Sequence, residues 1–157
     1  LEFKGANTAA SFIEIAKNKE FETIDTDSLN KTLVNFFAEL KKTGAEFGYR
    51  TGMEIHRLYQ QLSVINKKVS ENDKIDIAVM QKLLPKLHGS RRKLYPILIT
   101  LAKLCVSEGD VKKDFLENKD ELVFKENTTV IYPLSLEKIT RMYKGAIDNG
   151  FASYAEA

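Results

Sequence analysis

The chain has 157 residues, of which 43% are hydrophobic and 29% charged. That composition describes a globular chain long enough to bury a core, and it excludes a low-complexity or fibrous protein. Lys and Arg number 24 against 22 Asp and Glu, a net charge of +2, so overall charge alone predicts no polyanion partner.

The distribution of charge says more than its sum. Residues 77–107 contain no Asp or Glu but six cations: Lys82, Lys86, Arg91, Arg92, Lys93 and Lys103. The rest of the chain is mildly acidic. Cys105 is the only cysteine and sits in the apolar run LITLAKLCV, which predicts core packing and fits a reducing compartment. No run approaches the roughly 18 uninterrupted apolar residues of a membrane span, and no signal peptide opens the chain. The expected location is therefore cytoplasmic, with no membrane partner. Leu rather than Met stands first, so the chain is read as a piece of a longer protein.

In chain order, residues 1–25 read as a connector, with an extended LEFK and a weak helix at ASFIEIAK. Residues 26–157 read as a helical domain. In its first helix Leu29, Leu33, Phe36, Phe37 and Leu40 share a face, Thr26 or Asp27 can cap the start, and Gly44 suits a left-handed stop. In the second, Ile55, Leu58, Tyr59, Leu62 and Ile65 make the apolar stripe. Asp73 is expected to cap the third, with Ile77, Met80, Leu83, Leu84 and Leu87 inward. Ser90 can cap the fourth, in which Leu94, Ile97, Leu98, Leu101 and Cys105 bury, and Pro96 must lie in the first two turns or bend the helix.

Residues 108–132 form a polar excursion. Within it ELVF and TTVIY can pair across KENT as a small hairpin over 121–132. Ser135 can cap the fifth helix, bearing Leu136, Ile139, Met142, Tyr143, Ala146 and Ile147, and Asn149–Gly150 ends it. The predicted fold is all-α: a bundle of about five helices with an extended N-terminal stub.

The tools of an isolated enzyme are missing. There is no G-x-x-x-x-G-K-S/T loop and no G-x-G-x-x-G turn. His56 and His88 are the only histidines, and with one cysteine they make no zinc set. His56 reads as a surface histidine, and the carboxylates read as solvated faces. The chain alone is expected to be no catalyst, to hold no metal and to carry no cofactor.

Three ordered stretches resemble one family: EFGYRTGMEIHRLY at 46–59, DIAVMQKLLPKLHGSRRKLYPILITL at 76–101, and YPLSLEKITRMYKGAIDNGFASYAEA at 132–157. Together they resemble the C-terminal helical lid of McrB-like AAA+ NTPases, the motor subunits associated with modification-dependent restriction systems. The opening LEF is similar to the strand that ends the α/β nucleotide-binding core of such proteins.

The resemblance implies that the core, with its phosphate loop, lies upstream, and that the parent binds ATP or GTP with Mg²⁺. The implied partners are the chain's own α/β core, neighbouring subunits in a ring, a nuclease subunit and DNA. It also implies that Arg50, in FGYR, acts as a sensor 2 arginine on the γ-phosphate, with Phe47 and Tyr49 packing the turn or lining the nucleotide pocket. A guanidinium near a helix start is suited to that work, because it grips phosphate in a bidentate fork. The alternative is a surface arginine whose stem covers apolar area.

The stretch LPKLHGSRRKL is read as a helix–helix corner. Its outer surface carries Lys86, Arg91, Arg92 and Lys93, available to DNA phosphates or an acidic neighbouring subunit, or simply solvated. GSRR also has the G-x-x-R spacing of some sensor 2 motifs, with Arg92 last. His88 can cap the preceding helix or face water. A stand-alone helical module that binds nucleic acid or an acidic protein through 77–107 is the rival reading.

Overall fold

The computed structural model describes residues 24–107, 111–114 and 121–157. The expected LEFK strand, the ASFIEIAK helix and part of the polar excursion lie outside these residues. The chain divides into two compact units, one ending at Leu83 and one running from Leu84 to Ala157. Among the described residues five α-helices carry the fold, with a few short strands.

The first unit holds α1 (Asp27–Lys41), α2 (Tyr49–Ile65) and α3 (Glu71–Lys82). Helix α1 buries the five residues of its predicted stripe. Thr26 is its N-cap residue, but through its backbone: its carbonyl accepts from the Asn30 amide at 2.9 Å. The Asp25 carboxylate takes the Asp27 amide instead, also at 2.9 Å. At the far end Gly44 has φ +73°, and the amides of Gly44 and Ala45 bond back to the carbonyls of Lys41 and Leu40, both at 3.0 Å. This paired return satisfies carbonyls the helix leaves orphaned, and it needs a left-handed residue that glycine supplies without strain.

Helices α2 and α3 pack against each other; α2 is rotated from its predicted stripe, whereas of the stripe predicted for α3 Leu83, Leu84 and Leu87 bury as expected and Ile77 and Met80 do not. On α2 the buried residues are Thr51, Gly52, Ile55, His56, Tyr59 and Gln60. Leu58 and Leu62 are half-buried, and Ile65 is 79% exposed. On α3 Ile75, Asp76, Ala78 and Val79 bury, while Ile77 and Met80 are half-buried. Ser70, not Asp73, caps α3: its hydroxyl accepts the Asp73 amide at 3.1 Å. A serine directly before an acidic first turn is the ordinary N-cap geometry, and Asp73, three residues on, lies where the helix dipole favours a carboxylate.

The second unit is built on α4 (Arg91–Leu104) and α5 (Pro133–Asn149), which pack together. Leu94, Leu98, Leu101, Ile139 and Met142 are fully buried. Pro96 is the sixth residue of α4, where its ring removes one intrahelical donor, and the Thr100 hydroxyl donates to the Pro96 carbonyl at 2.9 Å. Helix α5 opens with Pro133 at its first position, so Ser135 is a buried helical residue rather than the predicted cap. Gly150, at φ +75°, stops α5 as expected.

Four short strands surround this pair. β1 (His88–Ser90) pairs antiparallel with β4 (Phe151–Ser153), and β2 (Val111–Asp114) with β3 (Glu121–Phe124). ELVF is thus a strand, but its partner is VKKD at 111–114 rather than TTVIY. The reason lies beyond the turn at Asn127. Val130 bridges to Val106, and the amides of Ile131 and Tyr132 both bond the Cys105 carbonyl, at 2.7 and 3.2 Å. The segment that was to complete the hairpin is thereby committed to the C-terminal end of α4. Two single turns of 3₁₀ helix, Leu84–Lys86 and Tyr154–Glu156, complete the unit and lie against each other.

Candidate functional site

Two groups of residues bear on function, one in each unit. In the first, α1 ends and the chain returns through Phe47 to the start of α2. Phe47 is 6% exposed and meets the ring of Phe37 edge-to-face, with centroids 5.6 Å apart at 86°. That contact fixes the turn, because aromatic pairs favour this geometry beyond their buried area. Gly48 follows as an extended N-cap residue without a capping side chain. Tyr49 is half-buried, and Arg50, the second residue of α2, is exposed.

No acidic residue stands in the first turn of α2, and among the described residues Arg50 has no hydrogen-bond or ion-pair partner. Its charge therefore adds to the positive end of the helix dipole, where an anion is favoured. The packing role predicted for Phe47 is observed, and FGYR forms a buried aromatic anchor followed by an outward cation.

In the second unit the predicted corner is a strand-to-helix junction. Leu84–Lys86 makes a 3₁₀ turn, β1 follows, and α4 starts directly at Arg91. Lys86, His88, Arg91, Arg92 and Lys93 are all exposed, while Leu84, Leu87, Leu94, Ile97 and Leu98 are buried. His88 therefore lies in a strand and faces water. The junction depends on Gly89 at φ +136°, where a side chain would be strained and its Cβ would lie 3.3 Å from Lys93 Cδ. The Arg91 guanidinium stands 5.7 Å from the centre of the Tyr95 ring, which stacks on Tyr143 at 5.4 Å. Arg92 and Lys93 have no hydrogen-bond or ion-pair partner among the described residues.

The sequence reading missed an interior of polar groups in the first unit. His56, taken as a surface residue, is 1% exposed, and so is Asp76, which breaks the expectation that every carboxylate is solvated. Thr51 and Gln60 are buried too. The signal was present: Gly52, His56 and Tyr59 share a helical face, as do Asp76 and Val79, but polar identity outweighed position.

Tyr59 lies in this interior, with the Lys74 ammonium 4.7 Å above its ring. The Tyr59 hydroxyl titrates above its ordinary value because burial disfavours the phenolate, with Glu71 and then Asp25 adding like-charge repulsion. Lys74 also donates to Ser63 Oγ at 3.0 Å. No group of three or more His, Cys, Asp or Glu among the described residues is placed to hold a metal ion. No helix among them is long and apolar enough to cross a membrane.

A family model matches residues 2–151, described as a domain of unknown function, DUF8727. The chain belongs to this family. The DUF8727 match extends over parts of both units, leaving out residues 152–157, and takes in every candidate residue named above. No curated protein and no solved structure matches the chain.

Proposed function

We propose that this DUF8727 domain is the helical lid of an AAA+ NTPase motor, closing over a nucleotide held by an α/β core and contributing to ring assembly. The observation that supports it best is Arg50. A lid arginine must be anchored at its root and free at its tip, and FGYR has both: Phe47 is buried against Phe37, and the guanidinium beyond it is exposed. Resemblance to the McrB-like motors supplies the rest of the reading, including a setting in DNA restriction. On this reading the chain hydrolyses nothing alone, because its sequence has no G-x-x-x-x-G-K-S/T motif to cradle phosphates. The coding sequence upstream of Leu1 is expected to specify a G-x-x-x-x-G-K-S/T loop roughly 150–250 residues earlier, the usual span of one domain. An upstream region without that loop sinks the proposal.

A second reading rests on a separate observation. Lys86, Arg91, Arg92 and Lys93 are exposed at one junction, in a segment with no carboxylate from residue 77 to 107. Such a surface suits the phosphates of a nucleic acid or an acidic protein. Replacing Arg91, Arg92 and Lys93 together with Gln should weaken duplex DNA binding and flatten its dependence on log salt by up to about three charges' worth. Unchanged affinity and slope would leave these residues a solvated face.

A further inference from the structure

The residues that follow α5 do more than end the second unit. The left-handed Gly150 turns the chain, and its carbonyl accepts the Arg91 amide at 2.9 Å. Phe151, Ala152 and Ser153 then pair with Ser90, Gly89 and His88. The next 3₁₀ turn lies against Leu84–Lys86 on the other side of the same junction. Residues 150–157 therefore hold the basic junction from both ends.

Their own attachment is slight in apolar terms. Ala152 is the one buried side chain of β4, seated near Gly145 of α5, while Phe151 is 46% exposed. Beyond the backbone bonds just named, one side chain among the described residues fastens the segment. Lys138, half-buried on α5, donates to the Ala157 carbonyl at 2.7 Å and lies 4.4 Å from the centre of the Tyr154 ring. A segment with so little buried area opens at lower free energy than the helices beside it.

We infer that residues 150–157 form a clasp that sets the geometry of the basic junction, with Lys138 as its latch. Closed, the clasp occupies the first amide of α4 and keeps Gly89 at the positive φ from which Arg91, Arg92 and Lys93 are presented on one helical start. Open, that amide is released, the start of α4 frays, and the three cations separate. Any polyanion that prefers them together also favours closure, by reciprocal linkage. This last consequence rests on the second reading above; the clasp itself does not.

The test is hydrogen exchange read by mass spectrometry on the full-length chain, comparing wild type with Lys138→Leu and Tyr154→Leu. Lys138→Leu removes the hydrogen bond and the cation–ring contact, so peptides covering 87–94 should exchange roughly tenfold faster. Tyr154→Leu removes only the ring and should give a smaller increase in the same peptides. The interior of α4, residues 97–104, should keep its wild-type rate in both. Unchanged exchange at 87–94, or an equal rise along all of α4, overturns the clasp.

Duplex DNA supplies the second readout. Tyr154→Leu should weaken binding without changing the salt slope, because it removes no charge. Wild-type affinity in that variant overturns the linkage. No salt-dependent binding by the wild type overturns the polyanion reading, and exchange then decides the clasp alone.

Discussion

If the lid reading holds, Arg50→Ala in the full-length protein is expected to lower NTP hydrolysis by about 10²–10³, the usual cost of losing one fixed donor to developing charge. Nucleotide binding should fall much less. On the lid reading, contacts in the α/β core hold the base and the inner phosphates, and Arg50 meets only the γ-phosphate. There transition-state charge gathers and water is excluded, so one preorganised guanidinium acts at high strength. The substitution leaves the fold alone. Arg50 is exposed and partnerless among the described residues, and alanine is the best helix former, so the melting temperature should barely move. Arg50→Lys should restore part of the rate, since an ammonium keeps the charge but loses the planar fork. The measurement is steady-state hydrolysis at matched oligomer concentration. Should the alanine variant assemble and turn over like wild type, Arg50 is a surface residue and the sensor role passes to Arg92 or is abandoned.

How far the sequence could lead is clearest where it went astray. The stripes of α1, α4 and α5 were legible because each is strongly one-sided: every residue expected to face inward buries except Ile147, which is half-buried. Helix α2 was not. It is apolar on more than one side, and the face chosen by hydrophobicity contained Leu62 and Ile65, whereas the buried face admits Thr51, His56 and Gln60. Propensity and pattern cannot rank two candidate faces when the buried one carries polar groups, because only tertiary neighbours make a buried imidazole or carboxamide tolerable.

The pairing of β3 failed for a related reason. A turn signal shows that the chain reverses, not which segment waits on the other side, and the Cys105 carbonyl claimed the amides of Ile131 and Tyr132. At the candidate sites the individual residues were legible, as exposed cations beside buried apolar anchors. The β1–β4 ribbon was not, since HGS and FAS are too short and too polar to read as strands.

Phe37→Ala should destabilise the domain by about 3–5 kcal/mol, the range for deleting a buried aromatic ring from a packed interior. Phe37 is 2% exposed, so its loss removes both transfer energy and packing. It also removes the edge that faces Phe47, and with it the contact that roots the FGYR turn. Phe47→Leu keeps most of the buried volume and should cost less, about 1.5 kcal/mol or under.

Combining the two should give a shortfall from additivity of about 0.5–1.5 kcal/mol, the direct worth of the ring pair. Urea unfolding followed by far-ultraviolet circular dichroism measures all four corners of the cycle, with slopes compared so that a changed denatured state is not mistaken for a lost contact. Additive costs would mean that the rings are buried separately and that Phe37 does not hold the turn. A coupled pair, together with an Arg50 variant of unchanged stability and lowered hydrolysis, would divide the labour within four residues: Phe47 keeps the start of α2 in place, and Arg50 acts from it.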